Sequence, residues 1–332
     1  MQHFIGIDIG STTCHAAICT GLSGQVEQQP LAFDNTDEGI STFTNYLASQ
    51  GCCKETSVIC MESCGVYAET LCYLLTIAGW QVAVEAPQKV ARAMPPNSAK
   101  TDSIDAWRIA RFAARYCDEL HIWRLPSETL ELSSTLLTLR EGYTKQSTQL
   151  QNQLQSIKRK HVRSTFAEKM LEDDIIRLKN HIKELDKEIK RLIDSDGTLK
   201  AIFTSIKSVP GVGQTLATYM LIATDCFRNG FNDKKLSAYL GIAPLDYQSG
   251  TSVYRKSRSR GFGHQTIRKL LYLGAMSALR NNKCLKAYFQ RLVGIGKNKH
   301  LIINNIENKI ISFICAVVRN GTVFSKNYRA AI

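Results

Sequence analysis

Four carboxylates stand where metal-dependent phosphate chemistry could take place. Asp8 lies in the β-rich run HFIGIDI, and Glu62 directly follows the run SVICM. Asp102 and Asp105 are three residues apart at the start of a predicted helix, so their side chains share one face of it. Carboxylates from strand ends and a neighbouring helix can converge at one edge of a sheet, where such oxygen clusters bind Mg²⁺ or Mn²⁺. Two such ions about 4 Å apart can flank a scissile phosphate.

Each carboxylate also has a simpler structural explanation. Asp102 could cap its helix, and Asp105 could interact favourably with the dipole of the first helical turn. Asp8 is harder to explain in this way, because an unpaired carboxylate buried in an apolar strand is strongly unfavourable. Asp8 is therefore expected to have a partner or a metal.

A second group of reactive residues lies in the polar segment 236–274. Ser249 precedes many basic residues there, and a serine hydroxyl becomes a good nucleophile only when a base or a metal activates it. Nearby arginines would stabilise the charge that develops on an attacked phosphate. An ordinary Ser-Gly turn before a DNA-binding loop is the alternative. The basic residues expected to contact nucleic acid are Arg255, Lys256, Arg258, Arg260, Arg268 and Lys269.

The segment 208–217, SVPGVGQTLA, predicts a turn between two helices. Its pattern resembles a helix-hairpin-helix, in which backbone amides near Gly211 and Gly213 would meet a DNA phosphate. A plain connection between two helices is the alternative.

Positive charge is concentrated in the C-terminal part of the chain. The 332 residues have a formal net charge of +13. Residues 1–99 contain three Lys or Arg against nine Asp or Glu, whereas residues 200–332 contain 21 against four. This segregation favours a polyanionic partner, such as nucleic acid, over a charge that only serves solubility.

The order of predicted elements indicates three regions. Strands alternate with helices over the first 120 residues or so, which predicts an α/β layer fold. Residues 128–195 then show a 3.5-residue apolar period, typical of a coiled coil, with a break near 163–165 that would allow an antiparallel hairpin. An oligomerisation arm is expected, and a hairpin buried within one subunit is the alternative. From residue 200 onward the chain is predicted to be mainly helical and basic, with Ser249 in a polar loop. The apolar repeat consists of Leu171, Ile175, Leu178, Ile182, Leu185, Ile189 and Leu192.

The sequence contains few signals for a cellular compartment or for a membrane span. The 11 cysteines form no Cys-x-x-Cys pair, which favours reduced thiols over zinc or disulfides. The N-terminus lacks a signal-peptide pattern, and no apolar run approaches the roughly 18 residues of a membrane span. A cytoplasmic protein, associated with the nucleoid when active, is expected.

Taken together, the motifs resemble those of the DEDD-type insertion-sequence transposases, relatives of the Piv pilin-gene invertase. The resemblance runs from about residue 3 to about residue 290. It implies a RuvC-like, ribonuclease-H-fold domain at 1–125, a coiled-coil hairpin at 126–199 and a second transposase domain at 200–332. The motifs are Gly-Ile-Asp8, Met-Glu62-Ser-Cys-Gly, Lys-Thr-Asp102-Ser-Ile-Asp105, Pro-Gly-Val-Gly, Leu-Gly-Ile-Ala-Pro and Ser249-Gly250.

The same resemblance implies a mechanism and partners. In this family the serine matched by Ser249 attacks DNA and forms a covalent phosphoserine, and Asp8, Glu62, Asp102 and Asp105 hold the metal. The family acts with a structured guide RNA, often called a bridge RNA, on target and donor double-stranded DNA. Dimers assemble into tetramers in which different subunits supply the acidic cluster and the serine.

The nucleophile has two further candidates, because the sequence after Ser249 departs from the pattern of many relatives. Thr251-Ser252-Val253-Tyr254 stands where those relatives have small residues and glycines. Ser252 is therefore the first alternative nucleophile, and Ser257 is the second.

Two other functions compete with a recombinase. The run Asp8–Thr13 looks like the first phosphate loop of the actin/sugar-kinase ATPases, in which Asp8 would position Mg²⁺. The second phosphate loop and the Gly-rich adenosine segment of that class do not follow. A non-catalytic DNA- or RNA-binding protein would explain the charge but would leave the four carboxylates without a role.

Overall fold

The structure is a computed structural model of the chain. Two compact units divide it, at Met1–Leu125 and Pro126–Ile332. Ser252 and Arg260, two of the residues singled out above, lie outside the described residues, as does Gly250. The structure describes residues 2–21, 25–26, 29–93, 101–228, 230, 232–249, 253–259 and 263–325, of which 25–26, 245–249 and 253–259 are described by their backbone alone.

A mixed sheet forms the centre of the N-terminal unit. Its described strands run in the order β3-β2-β1-β5-β6, and β4 also pairs with β2. β1 pairs antiparallel with β2 and parallel with β5, which in turn is parallel to β6. The strands are β1 (His3–Ile9), β2 (Thr13–Thr20), β3 (Gln25–Val26), β4 (Leu31–Asp34), β5 (Ser57–Glu62) and β6 (Gln81–Glu85).

Helices cover both faces of this sheet. On one face, Ile5 and Ile7 belong to a core that includes Phe43 of α1 and Leu71 of α2. On the other face, Phe4 belongs to a second core with the apolar side of α4. Residues 4–7 of β1 are all buried, and neighbouring side chains belong to different cores, which is the two-residue period of a strand that is covered on both sides. The helices of this unit are α1 (Asp37–Ser49), α2 (Val66–Ile77), α3 (Pro87–Arg92) and α4 (Asp102–Arg115).

The C-terminal unit is mostly helical and contains one described β-hairpin. Its core is shared by the helices and includes residues of α5 and α6, so the two long helices pack into the same unit as the rest. The elements are α5 (Glu128–Lys158), α6 (Thr165–Ser195), α7 (Gly197–Lys207), α8 (Gln214–Ala223), α9 (Asp233–Tyr239), β7 (Pro244–Ser249), β8 (Val253–Ser259), α10 (Gln265–Asn281), α11 (Lys283–Gly294) and α12 (Lys299–Asn320).

Helices α5 and α6 form an antiparallel pair. Lys158 is 2.6 Å from Glu172 near the turn, and Arg140 is 2.7 Å from Asp186 farther along both helices. All seven residues of the predicted repeat are at least partly buried. The two helices are thus present, while their coiled-coil geometry and their role in oligomerisation stay predictions.

The predicted loop around Ser249 is wrong, because Ser249 ends a β-strand. β7 and β8 pair antiparallel from Pro244 opposite Ser259 to Ser249 opposite Val253. A two-stranded hairpin pairs its backbone groups without needing an apolar face, and the polar sequence VYRKSRS of β8 carries no strand pattern. The structure therefore replaces the loop with a hairpin, which we call the serine hairpin (residues 244–259).

Helix α12 is the described helix that is long and apolar enough to cross a membrane. However, 56% of its most apolar window is buried inside the unit. Ile306, Ile310 and Ile314 in its middle are fully buried. This is the pattern of a core helix.

Candidate active site

Asp8 and Glu62 lie at the ends of neighbouring parallel strands and project to the same side of the sheet. Because alternate residues of a strand share a face, Asp8 faces the same way as Phe4, and Glu62 the same way as Cys60. Both Phe4 and Cys60 belong to the core beneath α4. In the β1–β5 ladder Ile7 is opposite Met61, so Asp8 and Glu62 occupy the next position in register.

A glycine brings the start of α4 close to Asp8. A side chain at Gly6 would collide with the backbone of Ala106 and Ala110, so α4 lies directly against β1 at this point. Asp102 lies one helical turn before Ala106, and Asp105 directly precedes Ala106. On the strand, Asp8 lies two residues beyond Gly6. The absence of a side chain at one position thus allows three carboxylates to approach each other.

The pKa of Asp8 is raised by burial and by the neighbouring carboxylates. Burial raises it above the usual value, and the charges of Asp105 and Asp102 raise it further. His15 and a backbone hydrogen bond at Ile9 lower it. The fold thus holds Asp8 where its negative charge is repelled by other carboxylates, an arrangement that suits the binding of a cation.

The first turn of α4 shows that Asp102 does not cap its helix. Thr101 is the N-cap, and its Oγ1 accepts a hydrogen bond of 3.3 Å from the backbone N–H of Ile104. The side chain of Asp102 is 73% exposed, with Oδ2 3.8 Å from Nδ1 of His15. Arg108 Nη1 donates a 2.7 Å hydrogen bond to Oδ1 of Asp105. The capping explanation for Asp102 is therefore wrong, and its carboxylate remains open to solvent.

His15 is a member of this cluster that the sequence interpretation missed. It lies directly opposite Asp8 in the β1–β2 ladder, on the same face of the sheet. The signal was present, because a turn at residues 10–12 pairs Ile9 with Cys14 and hence Asp8 with His15.

Glu85 is a further carboxylate on this face of the sheet, and its hydrogen bonds indicate a structural role. It lies opposite Glu62 in the β5–β6 ladder, and its side chain is only 2% exposed. Its Oε1 accepts from the backbone N–H of His121 at 3.0 Å and from Lys89 Nζ at 3.3 Å. Burial alone would raise the pKa of Glu85, but these hydrogen bonds lower it. Glu85 thus holds the segment around His121 and the helix α3 to the sheet.

The four candidate carboxylates lie near each other but do not form a complete coordination sphere. Within the described part of the chain, no three His, Cys, Asp or Glu side chains are close enough to hold a metal ion together. The donor set nevertheless fits a hard divalent cation, because Asp8, Glu62, Asp102 and Asp105 offer only carboxylate oxygens. Cys64 lies near Glu62 and Asp8, where burial and these two charges raise the pKa of its thiol. Cys64 is therefore neutral and a poor ligand for such an ion.

The second candidate group lies on and beside the serine hairpin. Ser249 ends β7, and Arg255, Lys256 and Arg258 lie on β8. In α10, Lys269 is exposed, whereas Arg268 is partly buried and its charge acts on the carboxyl of Glu307. Burial raises the pKa of Glu307 to about 7.

The two glycines of the predicted phosphate-binding turn have different surroundings. Gly211 has φ +87°, and a side chain there would collide with the backbone carbonyl of Gly274 in α10, so this glycine is required for packing. Gly213 is the N-cap of α8, is exposed, and has open space where a side chain would be. Of the two, Gly213 leaves the backbone amides at the start of α8 accessible to a phosphate.

Two sequence models of transposases match the chain. The model DEDD_Tnp_IS110, described as "Transposase", matches residues 5–166. A second model, described as "Transposase IS116/IS110/IS902 family", matches residues 204–290. The matched ranges include all four candidate carboxylates and Ser249.

Two curated relatives and one solved structure are similar to parts or most of the chain. The chain is 24% identical to the pilin gene-inverting protein of Moraxella lacunata over 327 residues, which cover 97% of this chain and 98% of that protein. It is 25% identical to an uncharacterized 43.6 kDa protein of insertion element IS110 from Streptomyces coelicolor, over 45% of this chain and 35% of that protein. T. thermophilus RuvC in complex with a Holliday junction substrate aligns with 37% of this chain and 100% of its own, at 12% identity and a TM-score of 0.30.

Proposed function

The chain belongs to the IS116/IS110/IS902 family of transposases and is a DNA recombinase, and we propose that it exchanges DNA strands at a composite site of four carboxylates and one serine. Asp8, Glu62, Asp102 and Asp105 form the acidic half, and Ser249 supplies the nucleophile. The family is one of transposases, so the ATPase interpretation of the run Asp8–Thr13 is set aside.

One observation carries the acidic half of the proposal. Gly6 lets the backbone of α4 approach β1 so closely that Asp102 and Asp105 raise the pKa of Asp8. Asp8, Glu62, Asp102 and Asp105 would hold Mg²⁺ or Mn²⁺ through their carboxylate oxygens. When bound, the ion supplies positive charge that neutralises the scissile phosphate.

The serine half performs a transesterification. Ser249 Oγ attacks the phosphorus, a Ser–O–P bond forms, and the bond from phosphorus to the 3′-oxygen breaks. The serine proton leaves to solvent, the 3′-oxygen takes up a proton, and the 5′-phosphate stays on the serine. Attack by the 3′-hydroxyl of another strand reverses these steps and rejoins the DNA. Basic side chains on β8 would stabilise the added negative charge on the phosphate.

The partners of the reaction follow from the family resemblance. We infer that a structured guide RNA selects target and donor double-stranded DNA. We also infer that dimers assemble into a tetramer in which one subunit's carboxylates meet another subunit's serine. The excess of basic residues after residue 200 supports binding to both nucleic acids.

The test is a strand-cleavage assay with the full chain, Mg²⁺, the transcript of the flanking DNA and a plasmid bearing both sites. Ser249→Ala is expected to bind nucleic acid but to form no covalent protein–DNA adduct, whereas Ser252→Ala keeps the adduct. An undiminished adduct in Ser249→Ala would reject Ser249 as the nucleophile. A copurifying structured RNA would support the guide, and full activity after ribonuclease treatment would reject it.

A further inference from the structure

The serine hairpin is held to the helical body on both sides of its base. We define the hairpin base as residues 240–243 before β7 and 263–266 after β8. On the incoming side, the backbone carbonyl of Ile242 accepts hydrogen bonds from the side chains of Asn304 at 3.3 Å and Asn308 at 3.5 Å, both on α12. The outgoing side touches the incoming side, because a side chain at Gly263 would collide with the carbonyl of Leu240.

The outgoing side is also held by a carboxylate on a distant helix. Glu141, in the middle of α5, accepts a 3.0 Å hydrogen bond from Thr266 Oγ1 in the first turn of α10. Its other oxygen accepts a 3.0 Å hydrogen bond from Tyr219 Oη in α8, and Lys145 Nζ is 3.0 Å from Oε1. One carboxylate thus joins α5, α8 and α10.

Tyr219 continues this connection to the residue that begins α10. Its ring contacts the ring of His264 edge-on, with 5.5 Å between the centroids. His264 is the N-cap of α10, and its Nδ1 accepts a hydrogen bond from the backbone N–H of Ile267 at 3.4 Å. Burial alone would raise the pKa of Glu141, but the hydrogen bonds of Lys145, Tyr219 and Thr266 lower it, so the carboxylate is charged. Hydrogen bonds to a charged acceptor are about twice as strong as neutral ones.

We propose that Glu141 is a positioning residue for the serine step, because it fixes the start of α10 and therefore the base of the serine hairpin. The proposal rests on the proposed role of Ser249. Ser249 lies five residues beyond Pro244, about 16 Å along a strand, so a small rotation at the base moves the serine considerably. A displacement of about 1 Å at a reacting atom can cost about 100-fold in rate.

The experiment compares single-turnover formation of the protein–DNA adduct by the full chain, at saturating Mg²⁺, guide RNA and DNA. Glu141→Gln, Tyr219→Phe and Thr266→Val each weaken the connection at a different atom. Glu172→Gln is the matched control, because Glu172 also forms an ion pair with a lysine on the same helical hairpin but lies near its turn. Nucleic-acid affinity and melting temperature are measured for every variant.

The expected result is a rate about tenfold lower for Glu141→Gln, smaller losses for the other two, and the wild-type rate for the control. Affinity should change less than twofold. The double variant Glu141→Gln/Tyr219→Phe should be no slower than the slower single variant, since both act through one contact. A role in folding alone would instead lower the melting temperature and the affinity, with additive losses.

Two outcomes overturn the proposal. Wild-type rates in Tyr219→Phe and Thr266→Val, which keep the carboxylate and should fold, would show that the connection does not position the serine. Rate losses that only follow losses of affinity or stability would assign Glu141 to folding. If Ser249→Ala still forms the adduct, the proposed function itself fails. If Ser249→Ala forms none while the three variants keep the wild-type rate, only the positioning role fails.

Discussion

The acidic cluster (Asp8, Glu62, Asp102 and Asp105) and the serine hairpin are held in place by different interactions. In the N-terminal unit, Asp8 and Glu62 end strands of a sheet that is covered on both faces, and α4 packs against Gly6. In the C-terminal unit, Ser249 ends a two-stranded hairpin whose base is held by a few polar side chains. Core packing fixes the carboxylates, whereas hydrogen bonds fix the serine. Substitutions that disturb this packing in the first unit should therefore lower stability and activity together, whereas substitutions of the polar side chains at the hairpin base should alter rate with little change in stability.

The largest effect on strand cleavage is expected for Asp8→Asn. Because burial and the neighbouring carboxylates raise the pKa of Asp8, its charge opposes folding at pH 7. Removing the charge should leave the melting temperature equal to or above that of the wild type, while strand cleavage falls by about 100-fold or more. Asp34→Asn, an exposed carboxylate on β4, is the control that should keep full cleavage. A fully active Asp8→Asn would remove the acidic cluster from the mechanism.

Gly6→Ala should lower stability and activity together. The added methyl group would collide with the backbone of α4, so α4 must move away from β1, at a cost of about 3 kcal/mol in the free energy of unfolding. Chemical denaturation measures this cost. Gly142→Ala, in the interior of α5 with open space around it, should instead stabilise the chain by roughly 0.5–1 kcal/mol. Equal stability of Gly6→Ala and the wild type would contradict the close approach.

Glu62 and Glu85 provide a matched pair of carboxylates with different roles. Glu62→Gln should abolish cleavage, because Glu62 is one of the four proposed metal ligands. Glu85→Gln weakens the charged hydrogen bonds to Lys89 and His121 and should cost about 1–3 kcal/mol. Since the pKa of Glu85 is lowered, the stability it contributes is present at neutral pH and is lost as the pH falls below the unfolded value of about 4.3.

The measurement is denaturant unfolding of both variants at pH 7 and at pH 3.5. The difference between Glu85→Gln and the wild type should shrink at the lower pH. Full strand cleavage by Glu62→Gln, or wild-type stability of Glu85→Gln at pH 7, would contradict the separate roles of the two carboxylates.

The smallest expected effect is a change in the salt dependence of nucleic-acid binding when a basic residue is replaced. Lys269 is exposed, so Lys269→Ala should lower the slope of log affinity against log salt by about 0.9. Arg268 is partly buried and faces Glu307, so Arg268→Ala should change that slope less. Binding titrations over a range of salt concentrations compare the two. Equal slopes for both variants would show that burial does not distinguish these two residues.

The sequence singled out Asp8 for a physical reason. A strand buried on both faces has few positions where a carboxylate is tolerated, so Asp8 stands out among apolar neighbours. Strands β1 and β5 lie where the runs HFIGIDI and SVICM predict them, and α4 begins at Asp102 as predicted, so these predictions are confirmed. His15 and Glu85 were missed because their roles depend on register between strands, which a single strand pattern does not show.

The serine hairpin could not be predicted in the same way. The sequence of β8 shows no alternating apolar pattern, and β7 and β8 pair through backbone hydrogen bonds. The connection between Glu141 and Thr266 joins residues 125 positions apart, so only the packing of α5 against the rest of the unit brings them together. The role of Ser249 therefore stays a prediction from the family motif.

The central claim, that a serine on this hairpin and the carboxylates act in one reaction, is tested most directly by mapping the covalent adduct. The full chain is incubated with Mg²⁺, guide RNA and DNA, the trapped adduct is digested, and the modified peptide is sequenced by mass spectrometry. The account predicts a 5′-phosphate attached to Ser249, and its absence in Asp8→Asn. Attachment to any other residue, or an adduct that persists in Asp8→Asn, would contradict it.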